Sequence, residues 1–300
     1  MVRSLNINHF IEVRKKAGLS QGELAQDICT QATLSRFERG GKIPSVKILT
    51  QLCNRLGISI DELFRTVPEL RSKLINDKLR QAEFNLIISE YANAADIIDK
   101  LQLTDNEGKN YRKRIDYIKG YVSILSGQDI QKTIDRYHAE LLNTNDLKNI
   151  YSLLTYCGLG MGYARIGKNA LVEQYFEFVF RNIFDFQAKN ANETWKILTI
   201  LFYTAEFYSK TNLSISNHLL ETIVNICSNE HMTFYLARSV LLLAENEYSG
   251  GRDSLKIANY LIDAHAYAKI NNNQIELNQI RYFAKKWHID DLPITIIFND

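Results

Sequence analysis

The residues best suited to chemistry lie on one side of a short segment, residues 29–40, which reads CTQATLSRFERG. At about 100° per residue, a helix over this segment separates its polar side chains from Leu34 and Phe37. The polar side carries Gln31, Ala32, Ser35, Arg36 and Arg39. Such a helix packs by a narrow apolar edge and presents a broad hydrogen-bonding face that ends in two arginines. This face is suited to bind a polar, negatively charged partner.

These side chain types match the exposed edges of DNA bases. In the major groove, glutamine pairs with adenine, arginine pairs with guanine, and small apolar groups contact the thymine methyl group. We therefore expect Gln31 to read adenine, Arg36 to read guanine and Ala32 to contact a thymine. Thr33 and Ser35 would contact base edges or phosphates. The alternative for each position is contact with phosphate or water only, which carries no sequence information.

Four further residues are placed to contact the phosphate backbone. Gln21 would begin the preceding helix, where its side chain and the first backbone amides face an anion. Arg39, Lys42 and Lys47 would flank the groove. The charge distribution agrees, because residues 1–65 hold ten basic and six acidic residues, a net charge of +4, whereas the rest of the chain carries −2. A polyanionic partner is thus expected for the amino-terminal part alone.

The local sequence predicts five short helices in this part of the chain. Their candidate caps or first residues are Asn6 or Asn8, Ser20, Thr30, Pro44-Ser45 and Ser59. Ser20 and Glu23 form a capping box, in which each side chain bonds to the backbone N–H of the other residue. Only Cys29 and Thr30 separate the second and third predicted helices, so the two must cross steeply. Two short helices that cross through a tight turn form a helix-turn-helix.

The rest of the chain is expected to be helical throughout. No proline occurs between Pro68 and Pro293, and apolar residues recur at helical spacing. Breaks recur at intervals of 37 to 43 residues, centred on Glu90, Gly127, Gly167, Lys210 and Gly250. A helix pair repeated at this interval is typical of a helical solenoid near the tetratricopeptide period. The spacing predicts about five pairs, then a capping helix over residues 273–287 and an apolar tail, ITIIFND.

The bulk properties exclude several classes of protein. With 300 residues, 46% hydrophobic and 23% charged, the chain has the composition of a folded, non-membrane protein, and it lacks a signal peptide, so we expect it in the cytoplasm. Its six histidines and four cysteines show no metal-ligand spacing, and we expect no cofactor and no enzymatic activity. The glycines of residues 158–162 resemble a nucleotide-binding fingerprint, but no strand precedes them, so close helix packing is the better explanation.

A family resemblance adds to this interpretation. Residues 14–64, with Leu-Ser-Gln, Glu-Leu-Ala, Pro-Ser and LGISIDELF, resemble the Xre-type helix-turn-helix of phage repressors. Together with the degenerate repeats, the chain resembles the Rgg and PlcR class of peptide-pheromone receptors of Gram-positive bacteria. The resemblance implies an all-α fold with a DNA-binding domain over residues 1–66. It implies a right-handed tetratricopeptide-like solenoid over residues 67–300, which would bind a short signalling peptide and dimerise.

The implied peptide groove would be lined by the first helix of each pair. The candidates are Arg80, Arg114, Tyr117, Tyr121, Tyr156, Tyr203, Phe207, Arg238 and Asn246. Aromatic residues at this spacing also fit an ordinary solenoid core. The aromatic run EQYFEFVFRNIFDF, residues 173–186, is a candidate homodimer surface, and a dimer would bind an inverted repeat in double-stranded DNA. The alternative is a phage- or mobile-element-type repressor whose repeats bind a partner protein or another small ligand.

Overall fold

The computed structural model describes residues 5–63, 67–143, 146, 149–251 and 253–289. Within these residues it contains sixteen helices and no strand, so the predicted all-α class is confirmed. The chain divides into two compact units, Met1–Asp77 and Lys78–Asp300. The division falls inside helix Val67–Ile87, whereas the boundary predicted from the sequence coincides with the start of this helix. The predicted tail ITIIFND lies outside the described residues.

The first unit contains five short helices before the division. They are α1 (Ile7–Lys16), α2 (Gln21–Ala25), α3 (Gln31–Glu38), α4 (Val46–Leu56) and α5 (Ile60–Leu63). The predicted caps are confirmed for the first four helices. Ser20 and Glu23 form the capping box of α2, Thr30 accepts a bond from the backbone N–H of Thr33, and Ser45 accepts one from Ile48. Local side-chain-to-backbone bonding therefore sets where these helices begin.

One apolar cluster holds this unit together. Leu34 and Phe37, on the apolar side of α3, are fully buried with Phe10 of α1 and Leu24 of α2. The rings of Phe10 and Phe37 meet edge to face, with their centroids 5.2 Å apart. Burial of such side chains stabilises by about 1.5–3 kcal/mol each. The apolar edge of α3 is thus fixed in the core, which leaves its polar side outward.

The second unit consists of helix pairs. Beginning with the helix that crosses the division, the pairs are α6 (Val67–Ile87) with α7 (Tyr91–Asp99), α8 (Asp105–Ser126) with α9 (Ile130–Leu142), α10 (Ile150–Arg165) with α11 (Asn169–Ile183), α12 (Ala191–Tyr208) with α13 (Leu213–Asn229), and α14 (Leu236–Gly250) with α15 (Ser254–Ile270). A single helix, α16 (Gln274–Lys286), follows. The five predicted pairs and the capping helix are confirmed.

The glycines of α10 serve helix packing, as expected. A Cβ atom on Gly158 would lie 2.5 Å from a ring carbon of Tyr137, and one on Gly160 would lie 2.8 Å from a ring carbon of Phe176. Both rings are almost completely buried. The glycines therefore allow α9 and α11 to press their aromatic side chains onto the backbone of α10. This explains a glycine run that otherwise resembles a nucleotide-binding loop.

In the described part of the chain, none of the helices combines the length and the apolar character that crossing a membrane requires. The same residues contain no group of three or more histidine, cysteine, aspartate or glutamate side chains arranged to hold a metal ion.

Candidate functional site

The turn between α2 and α3 is longer than the sequence pattern predicts. Helix α2 ends at Ala25, and Asp27 adopts a left-handed conformation with φ of +61°, which an L-residue other than glycine adopts infrequently. Aspartate tolerates this conformation better than most residues because its short side chain bonds locally. The amide N–H groups of Ile28 and Cys29 both donate to the carbonyl oxygen of Ala25. The sequence prediction placed this stretch in the second helix, and that detail is wrong.

The predicted reading face of α3 is exposed. Gln31, Ala32 and Arg36 are solvent-exposed, while Thr33 and Ser35 are partly buried. The Thr33 hydroxyl shares a 2.8 Å hydrogen bond with the Thr30 hydroxyl, so it is committed to the start of the helix. The basic residues predicted to flank the groove, Arg39, Lys42 and Lys47, are exposed as well. The structure thus leaves Gln31, Ala32, Arg36 and the three flanking basic residues exposed, and their contact with DNA stays a prediction.

A series of linked hydrogen bonds connects the exposed face of α3 to the core. The amide nitrogen of Gln31 donates to the Gln21 side-chain oxygen at 2.9 Å, and the Gln21 nitrogen donates to Glu38 Oε2 at 2.8 Å. Glu38 also accepts from Arg14 Nε at 2.6 Å and Nη2 at 2.8 Å. Arg14 further donates to the carbonyl oxygen of Leu19 at 2.7 Å. We call this series, Arg14–Glu38–Gln21–Gln31, the glutamine relay.

The glutamine relay fixes the orientation of the exposed amides. The side chains of Arg14 and Glu38 are only 10% and 5% exposed, and the bond to Glu38 raises the pKa of Arg14. A bidentate arginine–carboxylate pair in such surroundings is strong and directional. Glu38 therefore has a structural role, and sequence reasoning missed its partner Arg14. The contact joins residues 24 positions apart, and no local pattern signals it.

Arg55 is a second supporting residue that the sequence interpretation missed. From α4 it donates to the carbonyl oxygens of Leu24 and Gln26 at 3.2 and 2.5 Å. These carbonyls belong to the end of α2 and the residue that follows it, where intrahelical partners are lacking. Arg55 thereby ties α4 to the carboxyl-terminal end of α2 and supports the turn before α3. A basic residue in the last turn of α4 is common, so its sequence position alone gave no signal.

Some candidate peptide-binding residues are buried among other aromatic rings, whereas others are exposed or bonded to neighbouring helices. Tyr117, Tyr121 and Tyr203 are buried and form a row, with ring centroids 4.8 Å apart for the first two and 5.8 Å for the last two. Burial raises the pKa of all three phenols well above the usual value, so they are neutral. Phe207 stacks on Phe176 at 4.6 Å. The tyrosine row and the phenylalanine pair both border one cavity, through Tyr203, Phe176 and Phe207.

Other candidates lie apart from these rings or are engaged by neighbouring groups. Arg80 is exposed on α6, and Tyr156 packs against Phe178 of α11 with centroids 4.1 Å apart. The Asn246 amide donates to Ser216 Oγ and Asn217 Oδ1 at 2.9 and 2.7 Å, which joins α14 to α13. Asn246 thus contacts the outer helix of the preceding pair. The structure does not bring these three candidates together.

Two of the candidate arginines connect distant helices. Arg114 of α8 pairs with Glu83 of α6, with its Nη2 atom 2.6 Å from Oε2. Arg238 of α14 lies over the Phe202 ring, with its guanidinium carbon 4.3 Å from the centroid, and donates to the carbonyl oxygen of Ile87 at 3.1 Å. Helix α6 of the first pair therefore contacts α14 of the fifth pair.

A cavity of about 590 Å³ lies between the ends of α8, α10 and α12 and the start of α11. Its apolar lining includes Ile124, Met161, Phe176, Tyr203 and Phe207. The exposed residues Arg165, Glu173, Glu206 and Lys210 complete the lining. Ligand pockets usually measure about 300–1,000 Å³ and combine apolar walls with a few polar groups. Two of the predicted peptide-binding residues, Tyr203 and Phe207, therefore border a cavity of suitable size and character.

The aromatic run of α11 is largely covered within the chain. Tyr175 stacks on Tyr163 of α10 with centroids 5.5 Å apart, and Phe180 contacts Tyr208 of α12 at 5.8 Å. Phe184 remains 48% exposed. The predicted role of this run as a dimer surface therefore rests on a smaller apolar area than its composition suggests, and it stays a prediction.

Comparison with known proteins supports the helix-turn-helix in the first unit and the helical repeats in the second. Residues 11–63 match the model of the helix-turn-helix family, so the first unit contains a helix-turn-helix domain. No curated protein matches the chain significantly. Over 92–97% of its length the chain has the fold of solved peptide-binding regulators, which confirms the resemblance at the level of the fold. The sequence identities are 14–16%.

Three structures illustrate this likeness. PlcR from Bacillus thuringiensis, in complex with the peptide PapR7 and DNA, is 14% identical, with a TM-score of 0.56 over 92% of this chain and 99% of that chain. ComR from S. thermophilus, in complex with DNA and its signalling peptide ComS, is 16% identical, with a TM-score of 0.55 over 94% and 98%. The apo form of ComR from S. thermophilus is 15% identical, with a TM-score of 0.54 over 97% and 100%.

Proposed function

We propose that this protein is a transcription regulator that binds a specific DNA sequence through α3 and a short signalling peptide through its helical repeats. Two solved structures of the same fold contain both DNA and a peptide. We further propose that the protein acts in the cytoplasm as a homodimer on an inverted-repeat operator. It uses no cofactor and catalyses no reaction.

The exposed face of α3, fixed to the core by the glutamine relay, is the observation that carries the DNA-binding proposal. Gln31 and Arg36 present bidentate hydrogen-bonding groups, and Ala32 leaves room for close approach to a base. Because Gln31 is hydrogen-bonded to Gln21, its side chain needs little ordering on binding, which lowers the entropic cost. Arg39, Lys42 and Lys47 add phosphate contacts that strengthen binding to every sequence alike.

The cavity beside Tyr203 and Phe207 supports the peptide-binding proposal. Its apolar lining accommodates one or two apolar side chains, and its charged residues offer partners for backbone groups. A peptide regulates DNA binding only to the extent that its affinity differs between the arrangements of the two DNA-binding units. In a dimer, these units would contact half-sites separated by about 34 Å or a multiple of that distance.

Selection from a random duplex library tests the DNA-binding proposal. The full-length protein should enrich one inverted-repeat sequence, and the R36A variant should lose preference at one position of each half-site. A matched control is K16A, because Lys16 is an exposed basic residue of α1 that is not proposed to contact bases, and this variant should keep its preference at every position. Enrichment of no sequence over random duplex, with and without a synthetic library of short peptides, would exclude the proposal.

A further inference from the structure

A buried cluster of charged side chains lies where three helix pairs meet. Glu83 of α6 accepts from Arg114 Nε at 3.0 Å and from Nη2 at 2.6 Å. Lys196 of α12 approaches the same carboxylate, with its Nζ atom 3.3 Å from Oε1. None of the three side chains is more than 6% exposed. We call Glu83, Arg114 and Lys196 the carboxylate cluster.

The carboxylate cluster carries a desolvation cost that an apolar cluster of the same volume would avoid. A buried ion pair is replaceable by apolar side chains of similar volume without loss of stability, and often with a gain. The Lys196 ammonium is strongly desolvated. Burial lowers its pKa, although the negative charge of Glu83 acts in the other direction. Its ammonium also contacts the carbonyl oxygen of Asn192 at 3.1 Å and lies 5.6 Å from the ring centroid of Tyr151. Within the carboxylate cluster two cations therefore face a single carboxylate.

The geometry around Glu83 is that of a carboxylate-binding site. One arginine grips the carboxylate with two parallel N–H groups, and a lysine adds a point charge at one oxygen. The nearby Glu193 is occupied elsewhere, because its carboxylate accepts from the backbone N–H of Lys189 at 2.8 Å. Glu83 thus acts as an internal ligand of the two cations.

We propose that Arg114 and Lys196 form a carboxylate-binding site for the signalling peptide, which Glu83 occupies in this structure and from which the peptide displaces it. This inference rests on the proposed peptide-binding function and adds the chemical group that the protein recognises. A free carboxyl terminus and an acidic side chain both supply this group. A peptide that ends in an amide and lacks acidic residues does not.

The surroundings of the carboxylate cluster support a peptide as the ligand. Tyr117, whose pKa the charge of Glu83 raises further, begins the aromatic row that continues through Tyr121 to Tyr203. Tyr203 in turn lines the 590 Å³ cavity. The two cations and the apolar cavity therefore lie at opposite ends of one row of buried rings, an arrangement that suits a peptide with a carboxylate and an apolar side chain.

Displacement of Glu83 would weaken the packing of α6, the helix within which the two units divide. Helix α6 begins at Val67 in the first unit and carries Glu83 in the second. Glu83 is one of the contacts that hold α6 within the repeats, together with Phe84, whose ring lies 5.4 Å from that of Phe234, and the carbonyl oxygen of Ile87. Binding of a competing carboxylate therefore loosens the helix through which the chain continues to the DNA-binding unit.

Chemical rescue of the full-length E83A variant tests the inference. Removal of the carboxylate leaves two buried cations, and we expect the Tm in chloride to fall by about 5–10 °C. Replacement of chloride by acetate at equal ionic strength should recover at least half of this loss. N-acetyl-leucine should also recover it, whereas N-acetyl-leucinamide, which lacks the carboxylate, should not. N-acetyl-aspartate α-amide, compared with N-acetyl-asparagine amide, distinguishes an acidic side chain from a carboxyl terminus as the source.

Two matched variants make the result specific. E245A removes a partly buried glutamate of the second unit whose neighbouring lysines, Lys210 and Lys286, are exposed, and its Tm should respond equally to acetate and chloride. E83A/K196M lacks one cation, and its rescue by acetate should be lost. If E83A does not fold in chloride, the yield of folded protein on refolding is the readout, and recovery in acetate supports the inference. Equal behaviour of E83A in acetate and chloride, or equal rescue of E245A, would overturn it.

These measurements require neither DNA nor a signalling peptide. A failed rescue together with sequence-specific DNA binding by the unmodified protein would reject the carboxylate site and leave the proposed DNA-binding function intact. Successful rescue without any DNA sequence preference would support the carboxylate site and reject the proposed DNA-binding function.

Discussion

Substitution of Glu38 by alanine is the most informative perturbation of the DNA-binding unit. Glu38 accepts three hydrogen bonds, two from Arg14 and one from Gln21. E38A therefore removes the partner of a buried guanidinium and releases the inner end of the glutamine relay. The variant tests whether the core of this unit and its exposed glutamines form one connected structure.

The expected cost follows from the burial of the pair. Loss of one partner of a buried ion pair costs about 3–5 kcal/mol, because the other charge remains without compensation. Arg14 retains its bond to the Leu19 carbonyl oxygen, so we expect a value near the lower limit, about 3 kcal/mol. A difference of this size corresponds to a change of about 10²-fold in the equilibrium between closed and open states.

Hydrogen exchange is the appropriate assay, because the helices of the first unit contain no tryptophan or tyrosine to report on its unfolding. In the full-length protein, backbone amides of α1, α3 and α4 should exchange about 10²-fold faster in E38A than in the unmodified chain. Peptides from α10 and α12 should exchange at unchanged rates, because these helices belong to the second unit.

Two variants complete this experiment. E12A removes an exposed glutamate of α1 and should leave exchange within a factor of about three, as expected for a surface substitution. R14M/E38A replaces both charges and should recover most of the protection, because no unpaired charge remains. Equal protection in E38A and E12A would refute the view that the ion pair supports this unit.

Four further predictions concern single positions. R36A should reduce discrimination at one operator base pair by about 1–3 kcal/mol, measured with duplexes that vary at each position; unchanged preference everywhere would contradict the role of this residue. K42A should weaken binding to all duplexes alike and reduce the slope of log affinity against log salt by about one; a loss confined to one sequence would contradict this. G158A should destabilise by about 1–2 kcal/mol in denaturant titrations, because its Cβ meets a buried ring at 2.5 Å, whereas G108A, with open space around it, should be neutral or stabilising. Burial and neighbouring carboxylates raise the pKa of Glu245 to about 7, so the native state binds a proton there more tightly than the unfolded state and stability should fall as pH rises from about 4.5 to 7; E245Q should abolish this dependence and exceed the unmodified protein in stability above pH 7.

Local signals predicted the helices well. Ser20, Thr30 and Ser45 cap helices at the predicted positions because a cap depends only on residues three positions apart. The five pairs and α16 were predictable because proline, glycine and apolar spacing act within one helix or turn. Asp27 shows the limit of this approach, because its left-handed conformation ends α2 inside a stretch that reads as helical.

The sequence predicted site residues only where they lie on the exposed face of a helix, because helical periodicity reveals that face. The polar face of α3 followed from its periodicity. The partner of Arg114, which is Glu83, and that of Arg238, which is the Ile87 carbonyl, lie 31 and 151 residues away in sequence. No pattern within a helix reveals such contacts, since they arise from the packing of α6 against later pairs. Arg14 was missed for the same reason.

One affinity ratio tests whether α3 reads a DNA sequence. The measurement compares binding of the full-length protein to its selected duplex and to a scrambled duplex of equal length and composition, at one fixed ionic strength. We expect the selected duplex to bind at least about 10³-fold more tightly and E38A and R36A both to reduce this ratio. A ratio near one for the unmodified protein, with or without added peptides, would contradict it.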